Sequence, residues 1–115
     1  MADISKEFSY PQEGEVSYYQ NNSVDPRWGG ITKSGEKFDE NAMTMAILPE
    51  HWKKYKGKQF KVSDPITGAF TIVKANDTGG FKKYGRIGDL SKSAFSKLFK
   101  IKQGVGKVRI EPYDE

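Results

Sequence analysis

Apolar and polar positions alternate with a period of two along several short stretches, and turn-forming residues separate them, as in half-buried strands. The clearest is residues 69–75, AFTIVKA, rich in β-branched and aromatic side chains and bounded by turns. Residues 15–19 (EVSYY) and 59–64 (QFKVSD) read the same way. So does the final stretch, 104–114 (GVGKVRIEPYD), with Val108 and Ile110 inward and Arg109 and Glu111 outward. Residues 42–48 (AMTMAIL) form a short buried strand or a turn of helix. The period changes once: in DLSKSAFSKLFK, Leu90, Ala94, Phe95, Leu98 and Phe99 fall on one helical stripe. Ser91 is a natural N-cap there, and Asp89 would lie at the positive end of that helix. PITG is a turn, PEHWKKYKGK reads as a turn-rich connection, and residues 1–13 read as a polar, frayed arm. Residues 20–41 form a polar loop, long enough in a compact domain to suggest a function. The sum is a mainly-β chain of about five or six strands with one late helix, for which a small barrel is favoured over a sandwich.

Composition narrows the classes. A length of 115 residues fits one domain, taken as 14–115 after the arm at 1–13. There is no apolar run long enough to span a membrane, and the N-terminus lacks the apolar segment of a signal peptide. The absence of cysteine excludes a disulfide scaffold and thiol chemistry. The single histidine, His51, excludes a His-rich metal site and reads as a solvated loop residue, so no metal and no cofactor are expected. Nineteen Lys and Arg against 15 Asp and Glu leave +4, which suits an anionic partner and equally an ordinary soluble surface. HWKKYKGK and FKKYGR interleave aromatics with lysines, a pattern compatible with single-stranded nucleic acid and also with a solvated rim.

What remains is carboxylate chemistry. In VKANDTGGFKKYGRIGDLS, Asp77 ends an apolar run just before Gly79-Gly80, where a ligand could approach the backbone, and Asp89 precedes the helix. Two such acids could be a sugar-cleaving pair. They could also be a turn residue and a helix cap, and spacing alone favours this second reading.

The residues also carry a family resemblance. VKANDTGGF, GRIGDLSKSAFSKL and GVGKVRIE, in this order, resemble the C-terminal half of a double-psi β-barrel of the rare lipoprotein A and expansin type. RIGDLS is similar to that family's Arg-x-x-Asp-Leu-Ser, and NDTGG to the Asp-Thr-Gly-Gly of lytic transglycosylase A and of the three-aspartate stationary-phase barrels. GEVSYY and ITKSGEKFDENAMTMAI resemble its opening strand and the segment that follows. The resemblance runs from Gly14 to Glu111 and implies a six-stranded double-psi β-barrel, with one short helix before the last strand and a cleft for a β-linked glycan.

Carried over by position, it implies catalytic roles for Asp77, Asp89 and Glu36 and places Ser17 and Tyr18 in the cleft. Because sugar rings stack on aromatics, Phe81, Tyr84 and Trp28 are expected to join Tyr18 there, with Thr78 as a further glycan contact. Asp77 would be the acid/base and Asp89 its ionised neighbour, stabilised by N–H groups at the helix start. Three positions depart from the relatives: Ile47 where lipoprotein A-type enzymes carry His, Leu48 where the three-aspartate barrels carry Asp, and Gln20 where related endoglucanases carry a base. A lytic transglycosylase tolerates these departures, because the sugar's own hydroxyl is the nucleophile. The expected function is therefore cleavage of peptidoglycan strands by one Asp acting as acid and then base. The alternative is a non-catalytic, expansin-like wall-binding module, and a third reading is a nucleic-acid-binding barrel. A monomer acting in the wall or periplasm, without membrane insertion, is expected, and delivery as phage-tail or secretion-system cargo would need no signal peptide.

Overall fold

The computed structural model describes residues 10–19, 32–35, 37, 39, 41–79 and 85–113. Six strands form the fold: β1 (Gln12–Tyr19), β2 (Thr44–Ile47), β3 (Gln59–Ser63), β4 (Phe70–Thr78), β5 (Arg86–Ser91) and β6 (Val105–Pro112). They close into a barrel in the order β1-β5-β2-β4-β3-β6. The β1/β5 and β2/β4 pairs are parallel, and the other pairs are antiparallel. Every strand read from alternation is present, and residues 42–48 contain a strand rather than a helical turn.

Val16, Met45, Ile47, Phe60, Val62, Val73, Ala75, Leu90, Val108 and Ile110 point inward and are essentially inaccessible to solvent. Two strands carry an extra residue. Ile87 interrupts the β1/β5 register, since Glu15 pairs with Arg86 while Val16 pairs with Gly88. Asn76 interrupts β2/β4, since Met45 pairs with Ala75 while Ala46 pairs with Asp77. Side chains alternate faces along a strand, so an unpaired extra residue reverses the facing of everything beyond it.

Two helices pack against the barrel. α1 (Pro49–Tyr55) replaces the turn-rich connection expected over residues 49–58. Its sequence supports a helix: Pro and Glu50 in the first turn, Lys53 and Lys54 in the last, then Gly57 at φ +73°. Its seven residues hold too few turns to show a periodic stripe. His51 on this helix is not a solvated loop residue. It is 2% exposed, with its ring 4.8 Å from that of Tyr10 and its Nε2 3.4 Å from Nε2 of Gln12. Tyr10 lies within the stretch expected to fray, yet it is buried against Tyr55 and Phe60, and β1 begins at Gln12.

α2 (Lys92–Ser96) is shorter than the predicted stripe, and a 3-10 turn (Ile101–Gln103) follows it before β6. Ser91 caps it as expected, accepting from the Ala94 N–H at 3.2 Å and donating to the Ala42 carbonyl at 2.6 Å. Ala94 and Phe95 close one end of the core.

Candidate active site

One row of paired residues crosses four adjacent strands: Ser17 on β1 pairs with Asp89 on β5, Asp89 with Ala46 on β2, and Ala46 with Asp77 on β4. Directly opposed residues share a face of the sheet. The two acids therefore stand on one outer face, about 10 Å apart at Cα, two strand spacings with only an alanine between them. The Asn76 bulge makes this possible. Without it, Asn76 would oppose Ala46 and Asp77 would turn to the other face.

Asp89 is not at the helix start. It lies inside β5, and Ser91 takes the capping role. Its neighbours are the side chains of the same face: Ser17 Oγ donates to Asp89 Oδ1, and Arg86 Nη1 donates to Ser17 Oγ at 2.7 Å. Burial pushes the Asp89 carboxyl above the usual aspartate range, while the Ser17 hydrogen bond and the Arg86 charge pull it back without cancelling the effect. This reverses the electrostatics expected from the sequence, which placed helix N–H groups around Asp89 to hold it ionised.

Asp77 has a different setting. Its Oδ1 accepts from the backbone N–H of Lys33 at 3.0 Å and from that of Thr78 at 2.9 Å. Together with Ser34 N–H donating to the Asn76 carbonyl at 3.1 Å, this pins residues 33–34 against the end of β4. Thr78 ends β4, half-buried and level with Ile47. Tyr18 lies on the core side, its ring 4.9 Å from that of Phe95. The aromatic on the acids' face is Tyr19, two residues beyond Ser17, packed on Ala46 and Leu48. Burial, reinforced by the charges of Asp77 and Asp89, pushes the Tyr19 hydroxyl above its ordinary range, so this phenol stays neutral.

Glu36, Trp28, Phe81 and Tyr84, with Gln20, lie outside the described residues. Of the three departures from the relatives, Ile47 faces the core with no exposure, and Leu48 is buried beside Tyr19. Arg86 and Tyr19 belong to the site although neither was singled out. The signal for Arg86 was its place in RIGDLS, but without the bulge at Ile87 the spacing puts Arg86 and Asp89 on opposite faces. The described residues contain no cluster of His, Cys, Asp and Glu able to hold a metal ion.

Comparison with known proteins agrees with this architecture. The Streptomyces papain inhibitor superposes with a TM-score of 0.68 at 22% identity, over 90% of this chain and 96% of that one. A Clavibacter michiganensis expansin superposes with a TM-score of 0.69 at 16% identity, over 92% of this chain and 52% of that one, and these two matches establish the fold alone. Among curated proteins, the endolytic peptidoglycan transglycosylase RlpA of Neisseria meningitidis serogroup A is 34% identical over 89% of this chain and 39% of its own length. The protein of the same name from Vibrio cholerae is 33% identical over 89% of this chain and 35% of its own. The chain thus spans well under half the length of these relatives. A family profile described as "Lytic transglycolase" matches residues 11–110, and the chain belongs to that family, as a double-psi β-barrel of the RlpA type.

Proposed function

We propose that this barrel binds peptidoglycan strands across the Ser17–Asp89–Ala46–Asp77 row and cleaves them by lytic transglycosylation, outside the cytoplasm where that polymer lies. The observation that carries this is Asp89: a buried carboxyl with a raised proton affinity, oriented by Ser17 and Arg86 and facing Asp77 across a small residue. A general acid must hold a proton near working pH, and burial is a recurrent way to achieve that in a carboxyl group.

Asp89 protonates the glycosidic oxygen as the bond from that oxygen to C1 breaks. The 6-hydroxyl of the same sugar attacks C1 and returns its proton to Asp89, leaving a 1,6-anhydro end. One carboxyl serves twice, no water is consumed and no second catalytic acid is needed, so Ile47 in place of a histidine does not stop the reaction. Asp77 takes the role of a fixed acceptor for sugar hydroxyls. Tyr19, rather than Tyr18, is the aromatic that a sugar ring meets between the acids. Relatives named endolytic peptidoglycan transglycosylases support the substrate class.

Incubation of the protein with purified sacculi, followed by mass spectrometry of the soluble products, tests the reading. Release of 1,6-anhydro muropeptides or glycans is expected, with Asp89→Asn lowering it on the order of a hundredfold or more while sacculus binding persists. Asp77→Asn should reduce both binding and release. Wild-type protein that pellets with sacculi and releases nothing would support the second reading, a wall-binding module. That reading has its own support: a neighbour at a TM-score of 0.69 is an expansin mutant described in complex with cellohexaose.

A further inference from the structure

We propose that Arg86 is a positioning residue for Asp89, acting through the Ser17 hydroxyl, and that it determines which Asp89 oxygen carries the transferable proton. The inference rests on the proposed function only for its catalytic consequence. The relay itself follows from hydrogen-bond chemistry.

A guanidinium has donors and no acceptor. The 2.7 Å contact from Arg86 Nη1 therefore fixes Ser17 Oγ as the acceptor in that bond. A serine hydroxyl has one proton, and Ser17 must then direct it at Asp89 Oδ1, the oxygen it contacts. A carbonyl-type oxygen is the better acceptor, so a Ser17 that donates to Oδ1 disfavours a proton on that oxygen. The acidic proton of Asp89 then belongs on Oδ2, and Oδ2 is the oxygen that must face a leaving group.

The direction of the relay also matters after proton transfer. Once Asp89 gives up its proton, the new negative charge lies on a carboxylate that already receives an aligned donor. That donor is polarised by the guanidinium behind it, and such charge-assisted bonds are the stronger kind. Burial strengthens Asp89's hold on its proton, and the relay eases its release. Three strand positions assemble it: Ser17 opposite Asp89, Arg86 opposite Glu15, and the Ile87 bulge that brings Arg86 and Asp89 to one face.

The test reads the carboxyl directly. Carbon-13 NMR of the Asp89 carboxyl, followed against pH in the full chain, should show its titration moving to higher pH in Ser17→Ala and in Arg86→Gln. In the double variant, Arg86→Gln should add much less to Ser17→Ala than it does to wild type, only the direct effect of the guanidinium charge remaining once the hydroxyl is gone. Arg86→Lys, which keeps the charge and a donor for Ser17, should return the titration most of the way to wild type. In sacculus digestion, the alkaline limb of the pH profile should move with the titration, and Ser17→Ala should lower the maximal rate on the order of tenfold. An Asp89 titration unchanged in Arg86→Gln overturns the proposal. So does a full further shift from Arg86→Gln on the Ser17→Ala background, since that would mean a direct charge effect. Because the titration needs no turnover, a wild type that fails to cleave sacculi would sink the proposed reaction and leave the relay standing on its own result.

Discussion

At the scale of single residues, two aspartates on one face have acquired opposite characters from their neighbours. Asp77 spends an oxygen on two backbone N–H groups, and Asp89 meets a hydroxyl in a largely desolvated position. A carboxyl group whose folded-state proton affinity is raised favours the native state most when it is protonated in both states. That contribution is fully present below the unfolded pKa, about 3.9 for aspartate, and is lost as pH rises through the higher folded value. As pH rises toward neutrality, the cost of ionising Asp89 in its buried setting therefore works against the fold. Asp89→Asn should melt at a higher temperature than wild type at pH 7, and the gap should close as pH is lowered toward 4 and both carboxyl forms become neutral. Thermal denaturation of both proteins across that range checks this, and a gap that widens on acidification would mean that Asp89 is stabilised as the anion. Stability given up at a functional carboxyl is a common arrangement, because the burial that suits an acid for proton transfer disfavours its charge.

At the scale of elements, period-two alternation was enough to find β1, β3, β4 and β6, which have one face on the core, whereas β2 is buried throughout and β5, whose end was read as helix, was missed. The bulges were not visible in that signal. An added residue looks like one more step of the alternation until pairing partners are known, and the pairings β1/β5 and β2/β4 join distant parts of the chain. This is why the acids and their nearness could be named from motifs and resemblance, while the bulges that bring them to one face, the relay from Arg86 and the swap of Tyr18 for Tyr19 could not. The missed helix α1 and the buried His51 have another cause: seven residues are too few to show a helical stripe, so the flanking Pro49 and Gly57 were read as turn signals rather than as the two ends of a helix. Asp89 and Ser91 were legible as an acid and a cap, but the strand runs on to Ser91 and withholds the helix end from Asp89. Ser91 is wholly buried and joins three things: the start of α2, the end of β5 and the Ala42 carbonyl ahead of β2. Ser91→Ala removes a cap and a buried hydrogen bond together, and should lower stability by about 2 kcal/mol. For a domain of this length that is a fall in Tm of roughly 8 °C, measurable by circular dichroism. A shift below 2 °C would show that water or Thr44 replaces the hydroxyl.

At the scale of the whole molecule, the barrel order interleaves the chain: the row that carries the site takes β1 and β5, then β2 and β4, from early and late sequence alternately. No contiguous segment holds the site, so no segment can release it alone. Parallel neighbours must be joined through other elements rather than by a tight hairpin, and each strand of the row is also a wall of the core that Val16, Leu90, Met45 and Ala75 fill. Opening the site therefore means separating strands whose inner faces are packed together, which is global unfolding. The tip of the β3–β4 hairpin is different: it is local in sequence, exposes Ile66 and Phe70, and lies at the opposite end of β4 from Asp77. Fraying there should leave the row of acids intact. In a urea titration, the loss of sacculus cleavage and the loss of far-ultraviolet dichroism should share one midpoint, with a single slope of about 1–3 kcal/mol per molar urea. The assay for residual cleavage must be short compared with refolding, which is slow for strand pairings this distant in sequence. A midpoint for cleavage well below that for dichroism would mean that the site loosens as a separate unit. Ile66→Thr at the hairpin tip provides the control: it should leave the cleavage midpoint where it is, because its side chain is 90% exposed and contributes nothing to the core.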